Sequence, residues 1–527
     1  MSMFGFTTRR SVMRRRGAAG GGAPVAGTSP TSFTLAPSIH YHPNSQSATL
    51  SGSQVTACPD LKGLAALTGI SFGGATVGPV QMTDALGRKF WRFSPGQYLI
   101  VANALANINH RASGVFAVWR AHKMTKGEDV ALFSTRYSSY TDDTTNASRT
   151  NGYILRWFSS TTGQSVARLY TGTVDAFTDT TNGGKMIPGA QIHVCGIASR
   201  TTANGGGRMY INNDAATVAQ SSLTGTADIG GLIGAKAAAS NAATATYTGF
   251  DLYEFAFWNQ TLTNAQADAI AAAMVSNWSI PAIDSQLILL GDSVTECIDT
   301  STTVVVPGDN IAVTLTAPGA ELVPTNFRVI NAAVAGSGIV SAFTGVALSA
   351  QRDDTAGPLL YVYPGGPAKN VITCNIGIND MRSSNGNLSA AAHYANFTAL
   401  LNTTTNGYLQ RGFKVVAVTP TAISGDATGQ SRIVSYRALL ADPSTDAIVS
   451  QFLTDVQANS GQSFDGLVSV LPISKIQYAS SGTIFLDATD AADTTYYAGD
   501  GTHHQQLGYQ LQATGGATPQ YGYGSIL

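Results

Sequence analysis

From about residue 36 to 260 the hydrophobic positions come in short alternating or wholly apolar runs. They are QYLIVA (97–102), VFAVWRA (115–121), DVALFST (129–135), YILRWFS (153–159), SVARLYT (165–171), IHVCGIA (192–198), RMYINN (208–213) and FDLYEFAFW (250–258). Gly-, Asn-, Thr- and Ser-rich turns such as TDDTTNAS and TTANGGG separate them. Many short strands with no helix between them predict an all-β sandwich or jelly roll. A helix then closes the region. Thr263 can cap it, Gln266 completes a capping box, and AQADAIAAAMVSNW continues at helical spacing. SIPAIDS (279–285) reads as a linker.

After residue 285 the pattern changes. LILL (287–290), FRVINAA (327–333), NVITCNI (370–376) and KVVAVTP (414–420) are mainly apolar and look like buried strands of a parallel sheet. SAAAHYANFTALLNTTT (389–405) and RIVSYRALLA (432–441) have helical spacing. Strand–helix alternation predicts a three-layer α/β domain. Residues 299–326 are less regular and receive no assignment. The expected organisation is multidomain: a flexible arm over 1–35, a β-sandwich over 36–280 and an α/β domain over 281–527.

Composition narrows the setting. Hydrophobic residues make up 44%, enough for two real cores, and charged residues only 12%, about half the usual share. Such an uncharged polar surface is common in secreted, cell-surface and virion-exposed proteins. The net charge of −1 supplies no field to draw in nucleic acid or an anionic membrane, and no apolar run is long enough to span a bilayer. Cys58, Cys195, Cys297 and Cys374 lack metal-ligand spacing; buried free thiols are the first reading and a disulfide the second. The N-terminus carries Arg9, Arg10, Arg14, Arg15 and Arg16 before a Gly/Ala stretch. TRRSVM faintly resembles a twin-arginine export signal, but arginines interrupt the would-be apolar region, so no convincing signal peptide is read. The segment is a basic docking arm or, equally, a tail without a role.

Four segments can supply serine-hydrolase chemistry. A serine needs a base to take its proton, the base needs an orienting acid, and the developing oxyanion needs donors. In LILLGDSVTEC, Ser293 follows a buried strand at a sharp turn, which puts it at the carboxyl end of the sheet. It is not a G-x-S-x-G elbow, because Thr295 occupies the second Gly position. In VINAAVAGSGI, Gly336 can present a backbone N–H; in VITCNIGIND, Asn379 can present a side-chain amide. In AGDGTHHQQLGY, Asp500 and His503 are spaced so that the carboxylate can reach the imidazole. Each has a bland reading as a turn, loop or cap.

Taken together, Gly291-Asp292-Ser293, Asn331 through Gly336, Gly377-Ile378-Asn379-Asp380 and Asp500-Gly501-Thr502-His503 resemble the GDSL/SGNH hydrolase family over about residues 285–527. The resemblance implies a flavodoxin-like three-layer fold and a Ser293–His503–Asp500 triad. It also implies an oxyanion hole from the Ser293 N–H, the Gly336 N–H and the Asn379 side chain, with no metal and no cofactor in catalysis. Ala333 stands where many relatives have Gly, Val294 rather than Leu follows the serine, and His504 offers an alternative register. Asp292 and Asp380 read as structural.

The first half, with its closing FDLYEFAFWNQTLTNAQADAIAAAMVSNW, resembles a concanavalin-like, laminin-G-type jelly roll over about 36–280. This implies a glycan- or protein-binding module, sometimes with calcium. Asp142 and Asp143 are candidate calcium ligands and Trp119, Trp157 and Trp258 candidate sugar platforms, though a solvated loop and core packing are the plainer readings. The whole suggests a polysaccharide O-acetyl esterase working outside the cell or on a phage-like virion, where the arm would dock on other virion proteins. Two alternatives stand beside it: a structural or receptor-binding virion fibre or spike protein, and a secreted lipase or thioesterase. Glycan is the expected partner, nucleic acid and membrane are not, and homo-oligomerisation stays open.

Overall fold

The computed structural model describes residues 25–62, 67–71, 78–94, 97–101, 112–122, 129–136, 153–159, 165–171, 174–175, 189–200, 207–218, 230–234, 249–297, 310–340, 347–353, 359, 361–401, 407–458, 466–478 and 482–527. It contains a large antiparallel β-structure followed by a separate parallel sheet flanked by helices.

The Phe250–Trp258 strand organises the first half. It pairs antiparallel with Ala112–Ala121 on one side and with Lys89–Phe93 and Ile39–Tyr41 on the other. Ala112–Ala121 continues into His193–Arg200, Gly207–Ile211 and Asp214–Val218. A second ladder runs through Leu67–Ser71, Gln97–Val101, Gly230–Ile233, Asp129–Arg136, Tyr153–Ser159 and Ser165–Thr171. The ladders face each other: Phe133 of the second lies 5.4 Å from Phe255 and 5.7 Å from Phe257 of the first, ring to ring.

All nine residues of Phe250–Trp258 are buried. A register shift between Leu252 and Glu254 changes the phase of the alternation. Phe250, Leu252, Phe255 and Phe257 therefore pack into one cluster with Phe133. Tyr253, Ala256 and Trp258 pack on the other face, in a cluster with Ala267, Ile270, Ala271 and Met274 of the Asn264–Asn277 helix. That helix has the expected reciprocal cap: Thr263 N donates to Gln266 Oε1 at 2.8 Å and Gln266 N to Thr263 Oγ1 at 3.2 Å.

The strand also buries two carboxylates. Asp251 accepts from Arg92, Arg120 and His122. Glu254 accepts from His40, Trp278, and the backbone and hydroxyl of Thr31. The Thr31 bonds correct one boundary. Residues 25–35, expected within the arm, are docked: Gly27 N donates to Asn277 O, the Trp258 indole donates to Leu35 O, and Phe33 stands edge-on to Trp258. Within the segment it is Thr31, through its N–H and its hydroxyl, that bonds the buried glutamate. Residues 1–24, with the arginine cluster, lie outside the described residues.

The second half has five parallel strands in the order Phe327–Asn331, Ser285–Gly291, Asn370–Asn375, Lys414–Val418, Val468–Leu471. In chain order this is 2-1-3-4-5, so the winding direction reverses between the first and third strands, and the crevice at that switch point is where open α/β sheets take their ligands. The expected helices occur as Ala390–Leu401 and Ala427–Leu440. The second starts earlier than its periodicity suggested because the Asp426 side chain caps it by accepting from Gly429 N. Part of the unassigned 299–326 segment forms the helix Ile311–Leu315, capped by Asn310.

That segment also joins the two halves. Asn310 Nδ2 donates to His122 O at 2.7 Å and Thr316 Oγ1 to Ala190 O at 2.9 Å, and the strand that follows adds Ala190 N to Val329 O at 2.8 Å. Cys58, Cys195, Cys297 and Cys374 are all free and buried, as the first reading had them.

Candidate active site

Parallel register sets the site. Leu289 lies opposite Asn331, and Gly291 opposite Asn375. The three strands thus end side by side, and the chain beyond each carries one of the sequence blocks. Gly291 makes the approach possible: a Cβ there would sit 2.5 Å from Asn375 O and 2.4 Å from Thr295 Oγ1. The turn that follows puts Asp292 at the cap of the short helix Ser293–Glu296, where its side chain accepts from Val294 N at 3.0 Å.

Ser293 is the first residue of that helix, so its N–H has no intrahelical partner. Its Oγ lies 2.9 Å from His503 Nε2, and His503 Nδ1 lies 2.5 Å from Asp500 Oδ2. Asp500 can only accept when ionised, so the ring proton sits on Nδ1 and Nε2 is left to accept the serine O–H. Asp500 is fixed in turn: its Oδ1 accepts from the N–H groups of Thr502 and His503, both at 3.0 Å. Burial would raise its pKa, but the His503 ring and those N–H groups outweigh it and hold the carboxyl well below the usual range. The Asp500 turn is held by the loop after the fourth strand through Ser424 N to Gly501 O, at 2.9 Å.

The three groups differ in exposure: Ser293 is buried at 8%, and the His503 and Asp500 side chains are 17% and 32% exposed. His504, the alternative register, lies in the core against Phe485, Tyr497 and Tyr509, with Nδ1 2.6 Å from Gln512 Nε2.

Gly336 and Asn379 flank this chain of groups from the neighbouring strand ends. Gly336 has φ +69°, and its N–H makes no hydrogen bond among the described residues. Asn379 is half-buried, and its Nδ2 donates to Ser337 O at 3.0 Å, which ties the two blocks together and leaves the second amide proton. Among the described residues no hydrogen bond joins either of them to Ser293.

Three side chains brace these loops. Asn331 donates through Nδ2 to Thr295 O at 2.8 Å. Asp380 accepts from Ile339 N at 3.0 Å. Glu296 accepts from Ala335 N; nothing in the sequence marks this role, since Glu296 reads only as a residue one turn beyond Ser293. Asp292 and Asp380 touch no other site side chain by hydrogen bond. Burial pushes Asp292 up to about 7, against its bond from Val294 N, with the Asp380 charge adding to the rise. Burial likewise pushes Asp380 up to about 6, against the Ile339 N–H.

No family model matches the sequence, and no curated protein does. Solved structures that resemble it include an aryl esterase from M. Smegmatis, at 12% identity over 43% of this chain and 93% of that one, with a TM-score of 0.28. A carbohydrate acetylesterase from Sinorhizobium meliloti matches at 12% identity over the same shares, with a TM-score of 0.29. Domain 4 of an extracellular arabinanase from Geobacillus stearothermophilus, in complex with arabinotriose, matches at 14% identity over 45% of this chain and 98% of that one, at 0.30. These likenesses are weak, and the chemistry of the site stands on its own geometry.

Of the candidate binding residues in the first half, Trp119 and Trp258 are fully buried and offer no platform to a sugar. Trp119 packs edge-on against Phe250 and Trp258 against Phe116. The Trp157 side chain and the loop with Asp142 and Asp143 lie outside the described residues. Among the described residues no group of three or more His, Cys, Asp or Glu side chains could hold a metal ion, and no helix is long and apolar enough to cross a membrane.

Proposed function

We infer that the protein is a serine ester hydrolase of the GDSL/SGNH type. The observation that carries this reading is the chain Ser293 Oγ–His503 Nε2–Asp500 at 2.9 and 2.5 Å on the carboxyl ends of a parallel sheet. His503 Nε2 takes the Ser293 proton as Oγ attacks the ester carbonyl carbon. The carbonyl oxygen becomes an oxyanion and is held by the N–H groups of Ser293 and Gly336 and the Asn379 amide. His503 returns the proton to the leaving alkoxide, which departs as an alcohol. Water, deprotonated by the same imidazole, then attacks the acyl-serine, releases the acid and restores Ser293. Asp500 keeps the imidazole in the tautomer this cycle needs.

For the substrate we propose an O-acetylated polysaccharide outside the cell or on a virion-facing surface. Support comes from the low-charge composition and from the adjoining β-structure with its resemblance to glycan-binding jelly rolls. In the same setting we propose that residues 1–24 dock the chain on a partner protein, and that calcium, if used, binds in the loop of Asp142 and Asp143.

The test is acetate release from an acetylated polysaccharide by the full chain and by Ser293→Ala, alongside a series of small esters of rising acyl length. The esterase reading predicts turnover of the acetate ester that vanishes in Ser293→Ala. Preference for long acyl chains would favour the lipase alternative, and equal activity in both proteins would reject the site.

A further inference from the structure

We propose a second, non-catalytic binding site for a neutral sugar residue, in the cleft between the two halves at the opposite end of the parallel sheet from Ser293. The cleft has a volume of about 250 Å³, room for a single sugar ring. Its lining comes from both halves: His193 and the Asn212–Asp214 turn from the first, Arg328 and Tyr363 from the second, and Ile280 and Pro281 from the linker between them.

Its place in the fold follows from register. Arg328 and Asn370 both lie opposite Gln286, at the amino ends of their strands. Ser285–Gly291 has seven residues, so the cleft and the nucleophile are separated by about 20 Å of strand.

The polar groups are built in advance. Arg328 Nη2 donates to Gln286 Oε1 at 2.5 Å, and its guanidinium lies over the Tyr363 ring at 5.5 Å. Gln286 is itself fixed by donating to Tyr361 O and Asn370 Oδ1, and Asn370 Oδ1 accepts from Tyr363 N. Across the cleft, His193 is 1% exposed, and its Nε2 has no hydrogen-bond partner. The other ring nitrogen bonds to the Gln191 backbone, and burial keeps the ring neutral. Nε2 is thus a buried acceptor without a donor, on a residue that lines the cavity, a costly arrangement unless something donates to it.

The mixture of groups selects the ligand class. His193, Arg328, Asp214, Asn212 and Asn213 line one small space, with the Asn212 Oδ1 already accepting from Val194 N. An anion would meet Asp214 and a cation would meet Arg328. A ring with several hydroxyls uses both, because each hydroxyl donates and accepts, and its C–H face suits the apolar Ile280 and Pro281. A neighbouring cavity of about 250 Å³ shares Gln191, Ile280 and Pro281 and is also lined by Trp278 and Phe327, so a second ring can follow the first.

The test reads binding rather than hydrolysis, so it stands or falls apart from the esterase reading. Glucose, galactose, mannose, N-acetylglucosamine and their β-linked dimers are titrated into the full chain carrying Ser293→Ala, by saturation-transfer NMR and calorimetry. At least one sugar is expected to bind, its dimer more tightly. Binding should weaken at least about tenfold in His193→Phe, which removes the acceptor, and in Asn213→Trp, which fills the mouth from an exposed turn. Thermal unfolding checks both variants, and Asn213→Trp decides the matter if His193→Phe does not fold. No binding by any sugar of the panel, or unchanged binding in Asn213→Trp, overturns the proposal.

Discussion

His503 Nε2 sits 2.9 Å from Ser293 Oγ although the two residues are 210 positions apart in the chain. The contact exists because the first strand delivers Ser293 to the carboxyl edge and the Ser424–Gly501 backbone bond holds the histidine turn over it. Groups that work as a unit lose their effect together. Ser293→Ala and His503→Ala are each expected to lower kcat by about four to six orders of magnitude, and the double variant to be no worse. Steady-state hydrolysis of an activated acetate ester measures this; additive losses would mean that the two act separately.

Asp500→Asn is expected to cost about two to four orders of magnitude in kcat. The amide can still accept from Thr502 N and His503 N, so the turn should hold, but it can also donate to Nδ1 and favour the wrong tautomer. The unfolding temperature should stay near the parent value while turnover drops. A variant with parental turnover would leave the imidazole with no need of its carboxylate.

Asn379→Ala should lower kcat by about two to three orders of magnitude with little change in KM, because an oxyanion donor acts mainly in the transition state. The variant also loses the bond to Ser337 O, so circular dichroism and thermal unfolding are recorded beside the kinetics. A rise in KM alone would make Asn379 a substrate-binding group.

Asp292 links the site to stability through pH. Burial raises its pKa to about 7, above the ordinary carboxylate value of about 3.9. The folded chain therefore holds this proton more tightly than the unfolded one. The contribution to stability is complete below about pH 4 and is lost as pH rises through about 7. Asp380, raised to about 6, acts in the same direction. Asp292→Asn keeps the acceptor for Val294 N but cannot ionise, so the fall in unfolding temperature between about pH 4 and pH 8 should flatten. Unfolding scans across that range check it; an unchanged slope would contradict the assignment.

In the first half, Asp251 balances Arg92, Arg120 and His122 inside the fold. Burial would raise its pKa, and the three partners hold it well below the usual range. Asp251→Ala leaves the Arg92 and Arg120 charges uncompensated and His122 without its partner, and should destabilise the protein by about 3–5 kcal/mol, read from urea denaturation.

Much of the second half was legible because its strands carry their information locally. LILL, FRVIN, NVITC and KVVAV are mainly apolar and buried, and three of the four are followed within a few positions by a chemistry-bearing residue. The fifth strand, Val468–Leu471, was not read: it has four residues, two of them only half-buried, too short to set a period. In the first half, runs such as VFAVWRA and FDLYEFAFW announced strands, but nothing in them marks Asp251 and Glu254 as buried, because their partners come from five separate stretches of chain. The junction was invisible for the same reason. Asn310 reaches His122 across 188 positions, and a single polar residue ahead of a short helix looks like a cap and nothing more. The cleft around His193 and Arg328 depends on that junction and so left no trace in either half alone.

The most direct test of the central claim is covalent labelling of the full chain with a serine-directed fluorophosphonate, read by peptide mass spectrometry. One adduct is expected, on Ser293, with labelling abolished in His503→Ala and ester hydrolysis lost in proportion to the label. An adduct on another residue, or full hydrolysis by a protein whose Ser293 stays unlabelled, would contradict it.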